Sequence, residues 1–161
     1  MTQGQQTVRP QPGESLVPVT RTLSQEKISR YAAAGGDNNP LHGDPAFAAA
    51  TRFGGTIAHG MLVLAYISEM MTAAFGEDWV SRGRVKVRFR GPARPGDTVT
   101  ASGAVTRVQD GRVVCEVECW NQDGEALISG EAEATLMTPA GDLGQVRILN
   151  YTADVQLSHP E

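Results

Sequence analysis

The chain has 161 residues, 14 Lys and Arg against 18 Asp and Glu, a formal net charge of −4, and two Cys. That length accommodates one domain with its own core and leaves no room for a separate cofactor domain. The acidic balance argues against nucleic-acid binding, which relies on clustered Lys and Arg, and no apolar run is long enough to span a bilayer.

Residues 1–14 are mostly Gln, Pro, Gly and Thr. They read as a disordered arm with no secretory character, so a cytoplasmic protein is expected. The domain is expected over 15–137, beginning with an extended segment at 16–23. Ser24 is placed to cap a helix running to about Ala34, stopped by Gly35 and Gly36. A loop, DNNPLHGD, follows, which Pro40 is expected to keep non-helical. Asp44 and Pro45 then suit the cap and first residue of a short helix to about Thr51. From Gly60 to Phe75 the residues are apolar on nearly every face, which predicts a helix buried inside the fold.

Downstream the period changes to two. Val85, Val87 and Phe89 alternate with Arg84, Lys86, Arg88 and Arg90, the pattern of a half-buried strand. Three further strands are predicted at 97–109, 112–121 and 125–137, joined by two Asp-Gly turns. A run of antiparallel strands around one buried helix is an α+β arrangement, and a long sheet curled about a central helix describes the hot-dog fold. The exposed edge of such a sheet makes a homodimer the expected assembly. Residues 138–161 read as a C-terminal extension in which VRILNYTADVQL has some strand character. Cys115 and Cys119, four apart on one strand face, are expected to be reduced packing residues.

The sequence has no GxGxxG, Walker A, GxSxG or HExxH motif. Its three histidines, His42, His59 and His159, stand at no metal-ligand spacing, so neither metal nor redox cofactor is expected. Chemistry concentrates instead between residues 31 and 60. Asp37 and His42 lie five apart on one loop, where a carboxylate can take a proton from water and an imidazole can hold that water. The same residue types also build ordinary Asx turns.

Residues 37–45, DNNPLHGDP, closely resemble the signature of the MaoC-like, R-specific enoyl-CoA hydratases, also called hydratase 2. The resemblance continues through Ala46 to Ala48, Ile57 to Leu62, Arg90-Gly91-Pro92 and Pro95-Gly96-Asp97. It implies a hot-dog fold and reversible hydration of a trans-2-enoyl thioester to an R-3-hydroxyacyl thioester. It also places the catalytic dyad on Asp37 and His42, and the contact to the thioester carbonyl on the backbone N–H of Gly60. A glycine opening a helix suits that role, because it offers an unpaired N–H at the positive end of the helix dipole and allows close approach. Asn39 is expected to shape the loop, Ser68 to support Asp37 or a water, and His59 to pack beneath the helix start. Val63 and Leu64 are candidates for the acyl pocket. Arg84 and Arg88 are candidates for the phosphates of coenzyme A or for an acidic acyl carrier protein.

Two other readings use the same fold. A hot-dog thioesterase needs a carboxylate on the central helix, where Glu69 is the only charge, about 180° around from Gly60 at roughly 100° per residue. A non-catalytic acyl-thioester-binding subunit would not need Asp37 and His42, both of which are present.

Overall fold

Ser24 opens the first helix as the sequence predicts. Its hydroxyl accepts the Lys27 N–H at 3.1 Å, and α1 runs over Gln25–Gly35. Gly36 closes it in a left-handed conformation, φ 69°, with its N–H donating to the Ala32 carbonyl. This computed structural model describes residues 10–137. The expected extension at 138–161 lies outside the described residues.

Two short elements carry the chain to the central helix. Pro40–His42 forms a single 3-10 turn rather than an open loop, because Pro is tolerated in a first turn and the Asn39 side chain caps it by accepting the Leu41 N–H at 3.0 Å. Helix α2, Pro45–Ala49, starts at Asp44, whose carboxylate accepts the N–H groups of Ala46 and Phe47. Helix α3 covers Gly60–Phe75. It is less enclosed than its composition predicts: Met61, Ala65, Glu69 and Thr72 form an exposed stripe at helical spacing, while Leu62, Val63, Tyr66, Ile67, Met70 and Met71 are buried. A further helix, α4 at Glu77–Arg82, was not predicted, since Trp79 is the only side chain that it buries.

Five antiparallel strands form one sheet: β1 at Val19–Thr22, β2 at Arg84–Phe89, β3 at Thr98–Gln109, β4 at Arg112–Trp120 and β5 at Ala126–Thr135, in the order β1-β3-β4-β5-β2. The three last strands are the predicted meander, with Gly111 and Gly124 at positive φ in its turns. Strand β2 crosses to pair with β5, so β1 and β2 hold the two edges. This explains why β2 departs from the expected half-buried pattern: Val85 is 41% exposed and Phe89 55%, despite their place on the face that α3 covers elsewhere.

The core fills the space between α3 and the inner sheet face, in one buried cluster that includes Ile67 and Met71 of the helix and Val99, Val113, Val117 and Ile128 of the strands. Gly103 faces Met70 so closely that a Cβ there would lie 3.0 Å from the methionine methyl group. Cys115 and Cys119 are fully buried and unbridged, and burial pushes their thiols up to about 11 and about 12. Tyr66 is raised too, by burial first and then by the charge of Glu69.

The chain joins the sheet earlier than the sequence suggests. Gly13 N–H donates to the Val105 carbonyl at 2.7 Å, Val105 N–H to Glu14 at 2.8 Å, and Ser15 bridges Ala104. Backbone bonding to β3 needs no apolar side chain, which is why composition missed it.

Gly130 tests the tight pairing of β5 with β2. A Cβ there would lie 2.2 Å from the Lys86 carbonyl oxygen and 2.7 Å from the Val87 Cα. Gly130→Ala is therefore expected to cost about 1–3 kcal/mol in urea unfolding. Gly35→Ala, in a helix and 3.8 Å from its nearest neighbour, leaves stability unchanged or raises it by up to about 1 kcal/mol.

Candidate active site

Three elements converge where α3 begins. The loop after α1 delivers Asp37, the 3-10 turn delivers His42, and the segment before α3 delivers His59. One donor or acceptor atom from each of these residues lies within 4.8 Å of the others. The sequence reading paired Asp37 with His42 and the structure brings them together. It missed that His59 joins them, because 17 positions separate it from His42 and only the return of the chain closes that gap.

The loop is held by both backbone and side-chain hydrogen bonds. Asp37 N–H donates to the Ala32 carbonyl, Asn39 N–H to the Asp37 carboxylate at 3.2 Å, and Gln25 Nε2 to the His42 carbonyl at 2.8 Å. Gln25 also accepts from the Thr56 hydroxyl, tying α1 to the segment that leads into α3. Asn39 thus has the loop-shaping position expected of it. Neither Gln25 nor Thr56 stood out in the sequence, since an amide and a hydroxyl at ordinary helix and loop positions carry no distinguishing pattern.

His42 Nδ1 lies 2.8 Å from the Ile57 carbonyl oxygen. A carbonyl can only accept, so Nδ1 carries the hydrogen and neutral His42 keeps a lone pair on Nε2. The rings of His42 and His59 stack, with centroids 3.7 Å apart and planes 27° from parallel. Stacked imidazoles direct their in-plane lone pairs side by side rather than at a common point. Asp37, His42 and His59 could therefore share a metal ion only if one ring left the stack.

Gly60 is the first residue of α3, and the His59 side chain makes no capping bond to its first turn. Leu62 and Val63 N–H donate to the His59 carbonyl, which leaves the Gly60 and Met61 amides for another acceptor, at the end of the helix where negative charge is stabilised. Gly60 lines a cleft of about 450 Å³ with Ile57, Val63, Phe89, Arg52 and Arg90. The dyad lines a neighbouring cleft of about 310 Å³ with Asn39 and Pro40. Ile57 links the two, holding His42 through its carbonyl while lining the Gly60 cleft. The ring of Phe89 lies against Gly60, 2.8 Å from where a Cβ would stand.

Other predicted positions fall elsewhere. Ser68 meets neither Asp37 nor the dyad cleft: halfway along α3, its hydroxyl accepts the indole N–H of Trp79 at 2.9 Å. It fastens α3 to α4. Val63 is at the Gly60 cleft, whereas Leu64 packs half-buried against the core. Arg84 and Arg88 pair across β5 with Glu133 and Ser129, on the sheet face opposite α3. Their side chains therefore alternate away from Gly60; the arginines that line its cleft are Arg52 and Arg90, and the Nε of Arg90 donates to the Ser129 hydroxyl at 2.8 Å. Glu69, the carboxylate that a thioesterase would use, is engaged with Arg21 of β1.

A curved antiparallel sheet around a central helix is the hot-dog fold, here with a carboxylate and two imidazoles grouped beside the helix start. Residues 7–124 match the family described as MaoC like domain, and the chain belongs to that family. It is 31% identical over 124 residues to the (R)-specific enoyl-CoA hydratase of Aeromonas caviae, across 73% of this chain and 90% of that one. It is 38% identical over 93 residues to 3-hydroxyacyl-thioester dehydratase Z of Mycobacterium tuberculosis, across 55% of this chain and 62% of that one. The solved structure of the R-hydratase PhaJ1 from Pseudomonas aeruginosa superposes with a TM-score of 0.69 at 29% identity, covering 86% of this chain and 92% of that one. The chain is accordingly an enzyme of the hydratase and dehydratase class, a carbon–oxygen lyase. Among the described residues, no helix is long and apolar enough to cross a membrane.

The reassignment of Ser68 is open to measurement. Ser68→Ala removes the partner of a buried indole N–H and is expected to lower stability by about 1–3 kcal/mol and to change the indole fluorescence, with turnover unaffected.

Proposed function

We propose that the chain adds water reversibly across the trans-2 double bond of an enoyl thioester, giving an R-3-hydroxyacyl thioester. Coenzyme A, or an acyl carrier protein in its place, is the carrier. The observation that carries this reading is the meeting of Asp37 and His42 at the start of α3, with His42 held in the tautomer that leaves Nε2 as an acceptor. A relative named for (R)-specific hydration covers most of the chain and supports it.

In this mechanism Nε2 of His42 accepts one hydrogen bond from a water and Asp37 removes a proton as the water oxygen bonds to C3. The thioester carbonyl takes up the negative charge displaced from the double bond. The Gly60 N–H and the helix dipole stabilise that oxygen, and the dyad then delivers a proton to C2. The net change is H on C2 and OH on C3, so the step balances without an oxidant, reductant or metal. For a carbonyl to reach Gly60 the Phe89 ring turns aside, which its position on an edge strand and its 55% exposure allow. The apolar cleft beyond, with Ile57, Val63 and Ile128 in its wall, suits the acyl chain. Arg52 beside it, its guanidinium over the Phe53 ring, suits the carrier's phosphates.

The assembly in this reading is a homodimer. Strands β1 and β2 leave both sheet edges unpaired among the described residues, and β2 bears the exposed Val85 and Phe89. Two buried, unbridged thiols agree with a reducing compartment such as the cytoplasm.

Loss of the enoyl absorbance is the decisive assay, run on crotonyl-CoA and on medium-chain enoyl-CoAs, with an acyl-carrier-protein thioester as a second arm. Asp37→Asn is expected to lower kcat by about 10²–10⁴-fold, the usual worth of a general base. Unchanged turnover in that variant overturns the assignment of the base. Arg52→Ala is expected to raise KM for the CoA substrate about tenfold and leave kcat nearly constant, the sign of lost uniform binding.

A further inference from the structure

His59 has the least ordinary surroundings of any polar side chain in the domain. It is only 4% exposed, although it stands at the cap of α3 next to two clefts. Its Nε2 lies 3.4 Å from the backbone carbonyl oxygen of Asp37 and 3.8 Å from a carboxylate oxygen of the same residue. One face of its ring stacks on His42, and the Tyr31 ring lies 5.0 Å away, tilted by 49°. Its Nδ1 is buried and has no hydrogen-bond partner among the described residues.

Both atoms facing Nε2 are acceptors, so the hydrogen belongs there and Nδ1 keeps its lone pair. His59 and His42 are then opposite tautomers in one stack, Nε2–H for the first and Nδ1–H for the second. An apolar side chain of similar shape would fill the space without burying an unsatisfied nitrogen, which costs about 1–3 kcal/mol. The imidazole is therefore a poor choice as filler, and its distinguishing property is the N–H directed at Asp37.

We infer that His59 is a positioning residue, which fixes Asp37 against the start of α3 and so sets the base in place relative to both His42 and the Gly60 amide. Its backbone leads directly into Gly60, its ring flanks His42, and its Nε2–H holds the Asp37 segment. One residue thus connects all three parts of the proposed machinery without touching the reacting atoms. Asp37 needs such a restraint, since its side chain is 52% exposed and, among the described residues, only the Asn39 N–H otherwise holds its carboxylate, at 3.2 Å. The inference rests on the hydratase reading for its catalytic consequence, while the hydrogen bond itself does not.

The test compares two substitutions in the full chain. His59→Leu fills the site but cannot donate. His59→Gln places a side-chain N–H near the position of Nε2. Because small misplacements of a catalytic group cost up to about 10²-fold, His59→Leu is expected to lower kcat about 10–100-fold with little change in KM, and His59→Gln to recover most of that loss. Equal activities in the two variants, or a loss confined to KM, would overturn the positioning role. Imidazole ¹⁵N spectra of the unsubstituted protein give a second readout that depends on neither variant folding nor on turnover. They are expected to show His59 protonated at Nε2, with Hε2 slow to exchange, and His42 protonated at Nδ1. An Nδ1–H tautomer at His59 refutes the inference even if hydration is confirmed. Absence of hydration with the expected tautomers refutes the hydratase reading and leaves the His59 to Asp37 contact standing.

Discussion

Burial of α3 against the inner face of the sheet is the constraint on which the rest of the molecule depends. Ile67, Met70 and Met71 are almost wholly removed from water, and each such side chain contributes about 1.5–3 kcal/mol by leaving it. The sheet can accept the helix because small residues stand where the two approach: Gly103, Ala101 and Ala132 on the strands. Larger side chains there would lift the helix and with it the Gly60 amide. Packing energy at the middle of α3 therefore fixes the location of its first turn, where the chemistry is proposed to occur.

The site follows from that anchorage. A helix end is a source of unpaired N–H groups wherever it occurs, but here the chain before it also passes behind the loop that carries Asp37 and His42. The Ile57 carbonyl selects the tautomer of one histidine, and the Asp37 carbonyl selects that of the other. Backbone oxygens thus set the proton inventory of the side chains. The arrangement is assembled from hydrogen bonds between segments well separated in sequence, with Gln25 of α1 bracing it through the His42 carbonyl and Thr56.

Much of this was legible in the sequence, for identifiable reasons. Ser24, Asp44 and the Asp-Gly turns act within a few residues of themselves, so their effects could be read locally. The period-two pattern of the meander reported the sheet because its inner face really is covered. The same pattern misled at β2, since periodicity says which residues share a face and not whether anything lies over that face. Sheet order places β2 at an edge, and order is a long-range property. The places of His59 beside Asp37 and His42, and of Arg52 at the Gly60 cleft, went unread for a similar reason: they arise from segments that meet only after folding. Ser68 was misplaced because its partner, Trp79, belongs to a helix whose weak apolar signal gave no warning of it.

The two cysteines have a practical consequence that follows from their position in β4. Cys115 and Cys119 point into the centre of the core, and burial holds both thiols in the protonated, unreactive form well above neutral pH. A thiol reagent can reach them only when the middle of the sheet separates from α3. The rate of their modification in the folded protein is consequently a built-in clock for the rarest and largest opening of the structure, one that fraying at the edge strands does not set running.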